Sequence, residues 1–527
     1  MRFPDATCVL VVGGGPVGLA LSVLLSGHGV QHLLVEARPG TSRHPKARGV
    51  SARSMEILRR CGLEEEVRRA GLPASHVFFY RGRSLVDPDF VRTGPGRAPQ
   101  EGGGRTPSPG LICPQDALEA VLARHARTLA PAHVAFSARL LSFTQDDRGV
   151  RALLEDRTTG TRQWVHADWL VGCDGAASTV RTGAGIAMSG PTGLGHYLSI
   201  RFEAPLGEVV ADRASASYFL TTPGRGGFLA VDNDRHWIYQ YPLDPRQDDT
   251  TALAGDHHRL AELVRDAAGL PDLQVAVQDT MTWRADARLA DSYRRSRVLL
   301  AGDAAHVIPP TGGHGMNTGI GDADNLAWKL AAVTAGTAGE ALLDTYQDER
   351  RPLARQVIDL SLANSRAAGG YRIDDELLLT AAYRSTAVLT DPDTPARPPL
   401  DPAREHGHGG PGTRAPHLPL TGTPGPSSTL DLLGTTFTLL TPSAAAWQHQ
   451  YDTAAAAGLP LTLRPLTTPH DTAPHAQWTD LFGIPATGAV LIRPDGHTAW
   501  QAPHPPTDDA TLLNALHQVL STPPTPH

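Results

Sequence analysis

A glycine-rich turn between a strand and a helix constrains the fold of this chain more than any other feature. The apolar run at residues 8–12 predicts a strand, and the turn after it reads Gly13-Gly14-Gly15-Pro16-Val17-Gly18. In such a G-x-G-x-x-G turn the first glycine permits the tight bend and the second lets the backbone approach a pyrophosphate. The third lets the helix pack on the strand. The free N–H groups and positive dipole end of the helix then face two phosphates.

A second predicted strand, at residues 33–35, ends at Glu36. An acid roughly 20 residues after the glycines is placed to accept hydrogen bonds from an adenosine ribose, and it repels a 2′-phosphate. Strand, helix and strand form a βαβ unit, which favours a parallel sheet. The sequence therefore predicts dinucleotide binding, but this unit does not separate FAD from NAD.

A second glycine-rich segment follows another predicted strand, at residues 298–301. It contains Gly302-Asp303 and continues as Pro310-Thr311-Gly312-Gly313-His314-Gly315-Met316-Asn317. In a flavoprotein, Asp303 can accept hydrogen bonds from the ribityl hydroxyls, and the glycines let backbone N–H groups approach a flat ring. The helix that begins near Asn317 would aim its positive end at the negative edge of a reduced flavin. The segment favours FAD; the alternative is a glycine-rich loop that caps a packed helix.

Length and composition limit what else the chain can be. Its 527 residues exceed what one core usually supports, so two or three domains are expected. A net charge of −7 without a basic stripe argues against nucleic-acid binding. No apolar stretch reaches the roughly 18 residues of a membrane span, and the N-terminus lacks a signal-peptide pattern. The four scattered cysteines fit neither a disulfide framework nor a zinc site, so a cytoplasmic protein without a metal is predicted.

Short alternating patterns fill the middle of the chain. Residues 133–172 predict a small antiparallel meander, and residues 190–285 predict a further strand-rich segment. Within the second segment, the period of two places Trp237, Tyr239 and Tyr241 on one face of a strand. These rings could form an aromatic wall of a substrate site, although packing in the core of a sheet explains them at least as well.

Three motifs in this order resemble those of the group A flavoprotein monooxygenases, the aromatic hydroxylases similar to p-hydroxybenzoate hydroxylase. They are Gly13 to Gly18, Cys173-Asp174-Gly175 and Gly302-Asp303, and the likeness extends over roughly residues 5–365. The run from Gly488 to Gly496 resembles the thioredoxin-like tail of the subgroup that hydroxylates aromatic polyketides. Two departures stand out, since His314 and Gly321 occupy positions where many relatives have glutamine.

The resemblance implies an α/β fold in several parts. Residues 1–188 and 281–365 would form a discontinuous FAD-binding domain, Rossmann-like and of the glutathione-reductase type. Residues 189–280 would form a β-sheet substrate domain, residues 366–428 a helix and a Pro/Gly-rich linker, and residues 429–527 a thioredoxin-like domain. That last domain holds no cysteine, so it cannot exchange a dithiol, and packing or dimerisation is the expected role. The protein is expected to be a monomer or a homodimer.

The resemblance also assigns cofactor contacts. Arg48 would touch the FAD pyrophosphate region, Gln115 the phosphate or ribityl chain, and Asp174 both FAD and the nicotinamide donor. The backbone at Met316 and Asn317 would meet the pyrimidine edge of the flavin. For Arg48 and Gln115, an ordinary salt bridge or helix cap is an equally good interpretation.

No permanent catalytic residue is visible in the sequence. The candidates near the reacting atoms are Arg48, Pro310, which would lie by the reactive face of the flavin, and His314. A histidine beside the flavin could titrate near neutrality. A variable loop residue is the simpler interpretation of His314.

The activity that the resemblance implies is an FAD-dependent monooxygenation. NADPH or NADH would act as a transient hydride donor and O₂ as co-substrate. Oxygen would pass from a flavin C4a-hydroperoxide to an aromatic or polycyclic polyketide-type molecule, by hydroxylation or by Baeyer–Villiger oxidation. A flavin halogenase would carry a W-x-W-x-I-P signature, which is absent. The remaining alternative is a flavin-binding pathway protein that steers an intermediate without oxygenating it.

Overall fold

The computed structural model describes residues 2–93, 105–244, 246, 248–366, 374, 376–390, 398–400, 409–420, 428–466 and 473–523. Of the predicted helix and linker at 366–428, residues 367–373, 375, 391–397, 401–408 and 421–427 lie outside the described residues. Within the described part, no helix is both long and apolar enough to cross a membrane.

The chain contributes strands along most of its described length. They are β1 (Ala6–Val12), β2 (His32–Glu36), β3 (Gly49–Val50), β4 (Phe79–Gly82), β5 (Val91–Thr93), β6 (Leu111–Ile112), β7 (Ala132–Phe136), β8 (Ala138–Asp146), β9 (Gly149–Asp156), β10 (Arg162–Gly172), β11 (Met188–Ser189), β12 (Gly195–Glu203), β13 (Ser217–Leu220), β14 (Gly227–Ala230), β15 (His236–Pro242), β16 (Ala276–Ala285), β17 (Arg288–Ala290), β18 (Arg294–Arg295), β19 (Val298–Leu300), β20 (His306–Val307), β21 (Phe437–Thr441), β22 (Leu461–Pro465), β23 (Ala489–Ile492) and β24 (Thr498–Ala502).

The α-helices alternate with these strands at both ends of the chain. They are α1 (Pro16–Gly27), α2 (Ala52–Arg60), α3 (Glu64–Ala70), α4 (Gln115–Ala126), α5 (Thr179–Gly183), α6 (Thr250–Gly255), α7 (His257–Ala268), α8 (Gly315–Thr334), α9 (Asp344–Ser365), α10 (Ala444–Ala456), α11 (Ala473–Phe482) and α12 (Thr511–Val519).

The first sheet is the predicted parallel one. Its order is β18-β19-β10-β1-β2-β7, and β1 pairs in parallel with both β2 and β10. All five residues of β2 are buried, as expected for a parallel strand covered on both faces. The predicted meander is present as the antiparallel series β8, β9 and β10. The strand β7, assigned to that meander from sequence, instead pairs in parallel with β2.

The second sheet has the order β16-β12-β15-β14-β13-β4-β5. It includes β4 and β5, which come from within residues 1–188 that the sequence assigned to the first domain. The strand β4 pairs in parallel with β13, and Tyr80 packs its ring against Tyr218 in the core of this sheet, with a centroid separation of 5.3 Å. The chain therefore enters this sheet earlier than the sequence indicates.

The aromatic face of β15 lies in the core of the second sheet. Trp237 and Tyr239 are 0% and 2% exposed, and they pack with Leu260 and Val264 of α7. Their polar atoms donate to backbone carbonyls, and Tyr241 packs against the same cluster. The prediction that these three rings face the substrate is wrong, because α7 covers their side of the sheet. Packing in the core, the alternative weighed from sequence, is what the structure shows.

The C-terminal sheet has the order β22-β21-β23-β24, with β21 and β22 parallel and the other two pairs antiparallel. Helices α10 and α11 connect the first three strands, and α12 follows the last. This connectivity and sheet order are those of a thioredoxin-like fold, as predicted. The four cysteines lie at positions 8, 61, 113 and 173, so none belongs to this sheet or its helices.

Candidate functional site

The first glycine turn is held tightly against the start of the loop that follows β10. Gly13 has φ +110°, and a Cβ on it would lie 2.3 Å from the carbonyl oxygen of Cys173. A Cβ on Gly18 would lie 1.9 Å from the carbonyl oxygen of Gly13. Glycine is required at both positions because the backbone packs too closely to leave room for a Cβ. A Cβ on Gly15, by contrast, would meet nothing within 4 Å, so open space lies before the helix at this point.

Helix α1 begins without a side-chain cap. Its N-cap is Gly15, no side chain bonds the first-turn N–H groups, and Pro16 is the first helical residue. The unpaired N–H groups of a helix start carry partial positive charge and bind anions well. The turn thus offers donors, and room, for a pyrophosphate.

Glu36 ends β2 next to this turn. Its Oε2 accepts a hydrogen bond from the N–H of Gly14 at 2.7 Å, and its Oε1 accepts two from Arg38, at 2.8 and 2.9 Å. Burial raises the pKa of Glu36, but these hydrogen bonds outweigh it and hold the pKa below its usual value. The carboxylate is therefore ionised and fixed where the sequence predicts a ribose contact.

The second glycine segment meets the first across Val17. Gly302 has φ +62°, and a Cβ on it would lie 2.9 Å from the Cγ2 of Val17. A Cβ on Gly319, in the second turn of α8, would lie 2.5 Å from the same methyl group. The starts of α1 and α8, separated by about three hundred residues of sequence, thus lie side by side.

Helix α8 also begins without a side-chain cap. The side chain of Asn317 is used elsewhere. Its Oδ1 accepts from the N–H of Ser51 at 2.9 Å and from the Oγ of Ser54 at 2.8 Å. Its Nδ2 donates to the carbonyls of Gly49 and Gly313. The side chain thus ties α2 to α8. A contact of the backbone at Met316 and Asn317 with the flavin stays a prediction.

Asp303 projects into the space beside these helix starts. Its side chain is exposed, yet burial by the surrounding protein still raises its pKa. Both observations suit a carboxylate that lines a cleft. No hydrogen bond from a described residue reaches this carboxylate. Pro310 and Gly313 are exposed as well, so three of the predicted cofactor residues border open space.

Arg48 is directed at the second sheet. Its guanidinium donates from Nη1 to the carbonyl of Ala230 at 2.6 Å and from Nη2 to the Oγ of Ser217 at 2.8 Å. Nearby, Arg201 of β12 donates to the carbonyl of Arg43. The loop of residues 43–48 thus lies against the face of the sheet that α7 leaves uncovered. A contact of Arg48 with the pyrophosphate stays a prediction.

Gln115 and Glu119 hold the base of the same loop. Gln115 accepts from the N–H of Ala47 at 3.1 Å and donates to Glu119 at 2.7 Å, while Glu119 accepts from the N–H of Ser42 at 2.7 Å. Glu119 is fully buried, and burial raises its pKa. Sequence reasoning missed Glu119, although its spacing of four from Gln115 on one helix face could have shown the pair.

Asp174 uses its carboxylate within the protein. It accepts from the Oγ of Ser178 and from the N–H of Val180 at 3.1 Å, and so caps α5. The adjacent Arg181 donates to the carbonyl of Ala304 at 3.2 Å, next to Asp303. The Asp-Gly motif thus orders α5 beside the second glycine segment, and sequence analysis did not single out Arg181. A direct contact of Asp174 with either cofactor stays a prediction.

His314 does not behave as a residue that titrates near neutrality. Its side chain is 6% exposed, and burial lowers its pKa to about 4. The imidazole is therefore neutral at pH 7, and a Cβ on Gly312 would lie 2.8 Å from its Cδ2, so the ring is packed against the preceding turn.

The pH dependence of stability tests this assignment. Between pH values of about 4 and 6.5 the unfolded chain binds a proton at His314 that the folded chain does not, so stability falls as the pH drops through this window. His314→Gln should reduce the loss of unfolding free energy between about pH 7 and about pH 4.5 by about 2 kcal/mol, measured by urea denaturation. The exposed His258 provides the control, since His258→Gln should leave the loss unchanged. Equal losses in the wild type and His314→Gln would contradict the assignment.

The geometry fits a flavin nucleotide. Open space before Gly15, two uncapped helix starts that meet at Val17, an ionised Glu36 and an exposed Asp303 supply donors and acceptors for an extended, anionic ligand. Among the described residues, no group of three or more His, Cys, Asp or Glu side chains could hold a metal ion.

The chain is similar to known proteins along most of its length. The family described as "FAD binding domain" matches residues 6–361, and the family described as "Aromatic-ring hydroxylase, C-terminal" matches residues 408–523. The tetracenomycin A2 monooxygenase-dioxygenase of Streptomyces glaucescens is 36% identical, over 97% of this chain and 96% of its own. The solved flavin-dependent monooxygenase PieE, in complex with FAD and substrate, has a TM-score of 0.88 at 30% identity, covering 99% of this chain and 100% of its own. The complex of aklavinone-11 hydroxylase with FAD and aklavinone has a TM-score of 0.85 at 33% identity, with the same coverage.

Proposed function

Because this chain belongs to the FAD-dependent aromatic-ring hydroxylases, we propose that it hydroxylates a polycyclic aromatic compound of the polyketide type. NADPH or NADH donates the electrons and O₂ is the co-substrate. The observation that carries the proposal is the convergence of two uncapped helix starts at Val17. Relatives named for tetracenomycin A2 and aklavinone support an aromatic polyketide as the substrate class.

The residues of the first domain bind and orient the cofactor. The N–H groups at the start of α1 hold the pyrophosphate, Glu36 the ribose and Asp303 the ribityl chain. The N–H groups of the first turn of α8 face the pyrimidine edge of the ring. FAD supplies electron transfer and oxygen activation when bound, so the protein needs mainly to position the substrate and exclude water.

The face of the second sheet opposite α7 forms the substrate side of the cleft. On it, Tyr197 and Trp283 stack with centroids 4.4 Å apart, and the indole Nε1 of Trp283 donates to the Oε1 of Gln240 at 3.0 Å. These residues alternate with the core-facing ones, so they lie on the same side as Ser217, which Arg48 contacts. A flat aromatic wall with a polar edge suits a planar polycyclic ligand that carries phenol or quinone oxygens. The cation of Arg48 favours the ionised phenol.

Consumption of the donor with a panel of aromatic compounds tests the function. The purified FAD-loaded protein should oxidise NADPH or NADH slowly by itself and faster with a polycyclic phenol or quinone, and mass spectrometry should show a product heavier by one oxygen atom. Stimulation by single-ring phenols alone would contradict the substrate class. FAD-loaded protein that forms no oxygenated product from any compound would favour the role of steering an intermediate.

Replacing one tryptophan in the proposed cleft tests its wall. Trp283→Ala should raise the KM for the polycyclic substrate about tenfold, because it removes stacking area and the contact to Gln240. Trp164, which is 45% exposed on β10, provides the matched control, and Trp164→Ala should leave KM unchanged. The slow oxidation of donor without substrate should stay the same in both variants. An unchanged KM in Trp283→Ala would place the substrate elsewhere.

A further inference from the structure

Arg350 lies behind the cofactor site, on α9, and is 3% exposed. Its guanidinium makes three hydrogen bonds in different directions. Nε donates to the Oδ1 of Asp322 at 2.8 Å, and Nη2 donates to the carbonyl of Thr318 at 2.8 Å. Nη1 donates to the hydroxyl of Tyr383 at 2.9 Å. One rigid, planar group thus holds α8 at two points and Tyr383 at a third.

The two contacts on α8 lead to the cofactor site. Asp322 accepts through Oδ2 from the N–H of Gly302 at 3.1 Å, and the Nε2 of His306 lies 2.6 Å from the same oxygen. Gly302 directly precedes Asp303, which faces the cleft. Thr318 lies in the first turn of α8, where its N–H bonds the carbonyl of His314. Arg350 therefore supports both the Asp303 segment and the start of α8.

The absence of a side chain at Gly321 makes room for this arrangement. A Cβ at this position would lie 2.8 Å from the Nη2 of Arg350. The guanidinium could give way only by leaving its buried partners, because all three of its hydrogen bonds would have to stretch. This contact explains why a glycine suits position 321.

The opposite charges of Arg350 and Asp322 are both buried. Asp322 and His306 are fully buried. Burial by itself raises the pKa of Asp322, but the charges of His306 and Arg350 and their hydrogen bonds hold it below its usual value. Because a buried charge that loses its partner is costly, Asp322 and Arg350 are held in register with each other.

The contact with Tyr383 leads to the C-terminal domain. The ring of Tyr383 stacks on His497 with a centroid separation of 4.0 Å, and its N–H donates to the carbonyl of Gly412 at 2.8 Å. Gly412 in turn donates to the carbonyl of Thr498 in β24 at 2.8 Å. A single phenol hydroxyl therefore joins the thioredoxin-like domain to Arg350.

We propose that Arg350 is a positioning residue for FAD, and that Tyr383 couples the docking of the C-terminal domain to the two segments that hold the flavin. The inference rests on FAD binding and is independent of the substrate class proposed above. The function of the cysteine-free C-terminal domain would then be to stabilise the positions of the Asp303 segment and of the start of α8. Such coupling requires a continuous physical connection, and Tyr383, Arg350 and Asp322 supply one.

Removing one hydroxyl tests the coupling. Tyr383→Phe keeps the ring stacked on His497 but loses the bond to Arg350. It should raise the dissociation constant of FAD about fivefold, measured by quenching of flavin fluorescence on titration with apoprotein. The visible absorption band of the bound flavin should also shift. The control is Asp431→Asn, which breaks a different tie of the C-terminal domain, the ion pair of Asp431 with Arg59. This control should leave both the FAD affinity and the spectrum unchanged.

A double-mutant cycle gives a second, independent measurement. Gly321→Ala should weaken FAD binding in the wild type, because its methyl group displaces the Nη2 of Arg350. In Arg350→Lys the ammonium has no such nitrogen, so Gly321→Ala should have no additional effect. Equal effects of Gly321→Ala in both backgrounds, or a wild-type FAD affinity in Tyr383→Phe, would overturn the proposal. No measurement here uses turnover, so failure of the substrate proposal would leave this one intact.

Discussion

Gly15→Val is expected to abolish FAD binding while the apoprotein stays folded. The glycine has φ −78° and ψ −175°, which valine adopts without strain, and a Cβ there meets no atom of the protein within 4 Å. The added methyl groups would instead occupy the space before α1 where the pyrophosphate is expected. We expect the FAD affinity to fall by at least about 100-fold, since the ligand loses its contacts with the helix start.

The matched control lies at the other end of the same helix. Gly27 is exposed, and a Cβ on it also meets nothing within 4 Å, so Gly27→Val makes the same chemical change far from the turn. Fluorescence titration should show normal FAD affinity for Gly27→Val and almost none for Gly15→Val. Thermal unfolding of the two apoproteins should be similar. Normal flavin uptake by Gly15→Val would show that the pyrophosphate does not lie before α1.

Glu349→Gln is expected to cause the largest loss of stability. The side chain of Glu349 is fully buried. Its carboxylate accepts hydrogen bonds from Lys329 at 2.9 Å and from Arg493 at 2.6 and 2.9 Å. It also accepts from Asn325 and Ser385. Neutralising it leaves two buried cations without their shared partner, so the free energy of unfolding should fall by about 3–5 kcal/mol.

Chemical denaturation measures this effect. Glu262, which forms an exposed ion pair with Arg259, serves as the control, and Glu262→Gln should be close to neutral because such pairs contribute little. Arg493 belongs to the C-terminal domain, so Glu349→Gln should also loosen the docking of that domain and increase its susceptibility to proteolysis. A stability loss no larger than that of Glu262→Gln would show that the buried cluster is not a principal link between the domains.

The glycines of the predicted cofactor site could be recognised from the sequence because the backbone constrains their positions. Gly13, Gly18 and Gly302 leave no room for a side chain, so their pattern alone is informative. The direction of an aromatic stripe is less predictable. Period-two alternation put Trp237 and Tyr239 on one face, but only the placement of α7 decides which face becomes the core. Local sequence patterns cannot predict long-range partners such as Arg350 and Gly321, because their contact depends on how α8 and α9 pack.

Four chain crossings connect the second sheet to the first domain. The chain enters it between α3 and β4, leaves between β5 and β6, returns between β11 and β12, and leaves again between β16 and β17. A hinge motion between the first domain and the second sheet would have to bend all four connections. It would also have to break the hydrogen bonds that Arg48 donates to the second sheet. Clamshell opening, common where a single linker joins two lobes, is therefore disfavoured by the topology. We therefore expect ligands to enter and leave the cleft through movements of loops and side chains rather than through rotation of the domains.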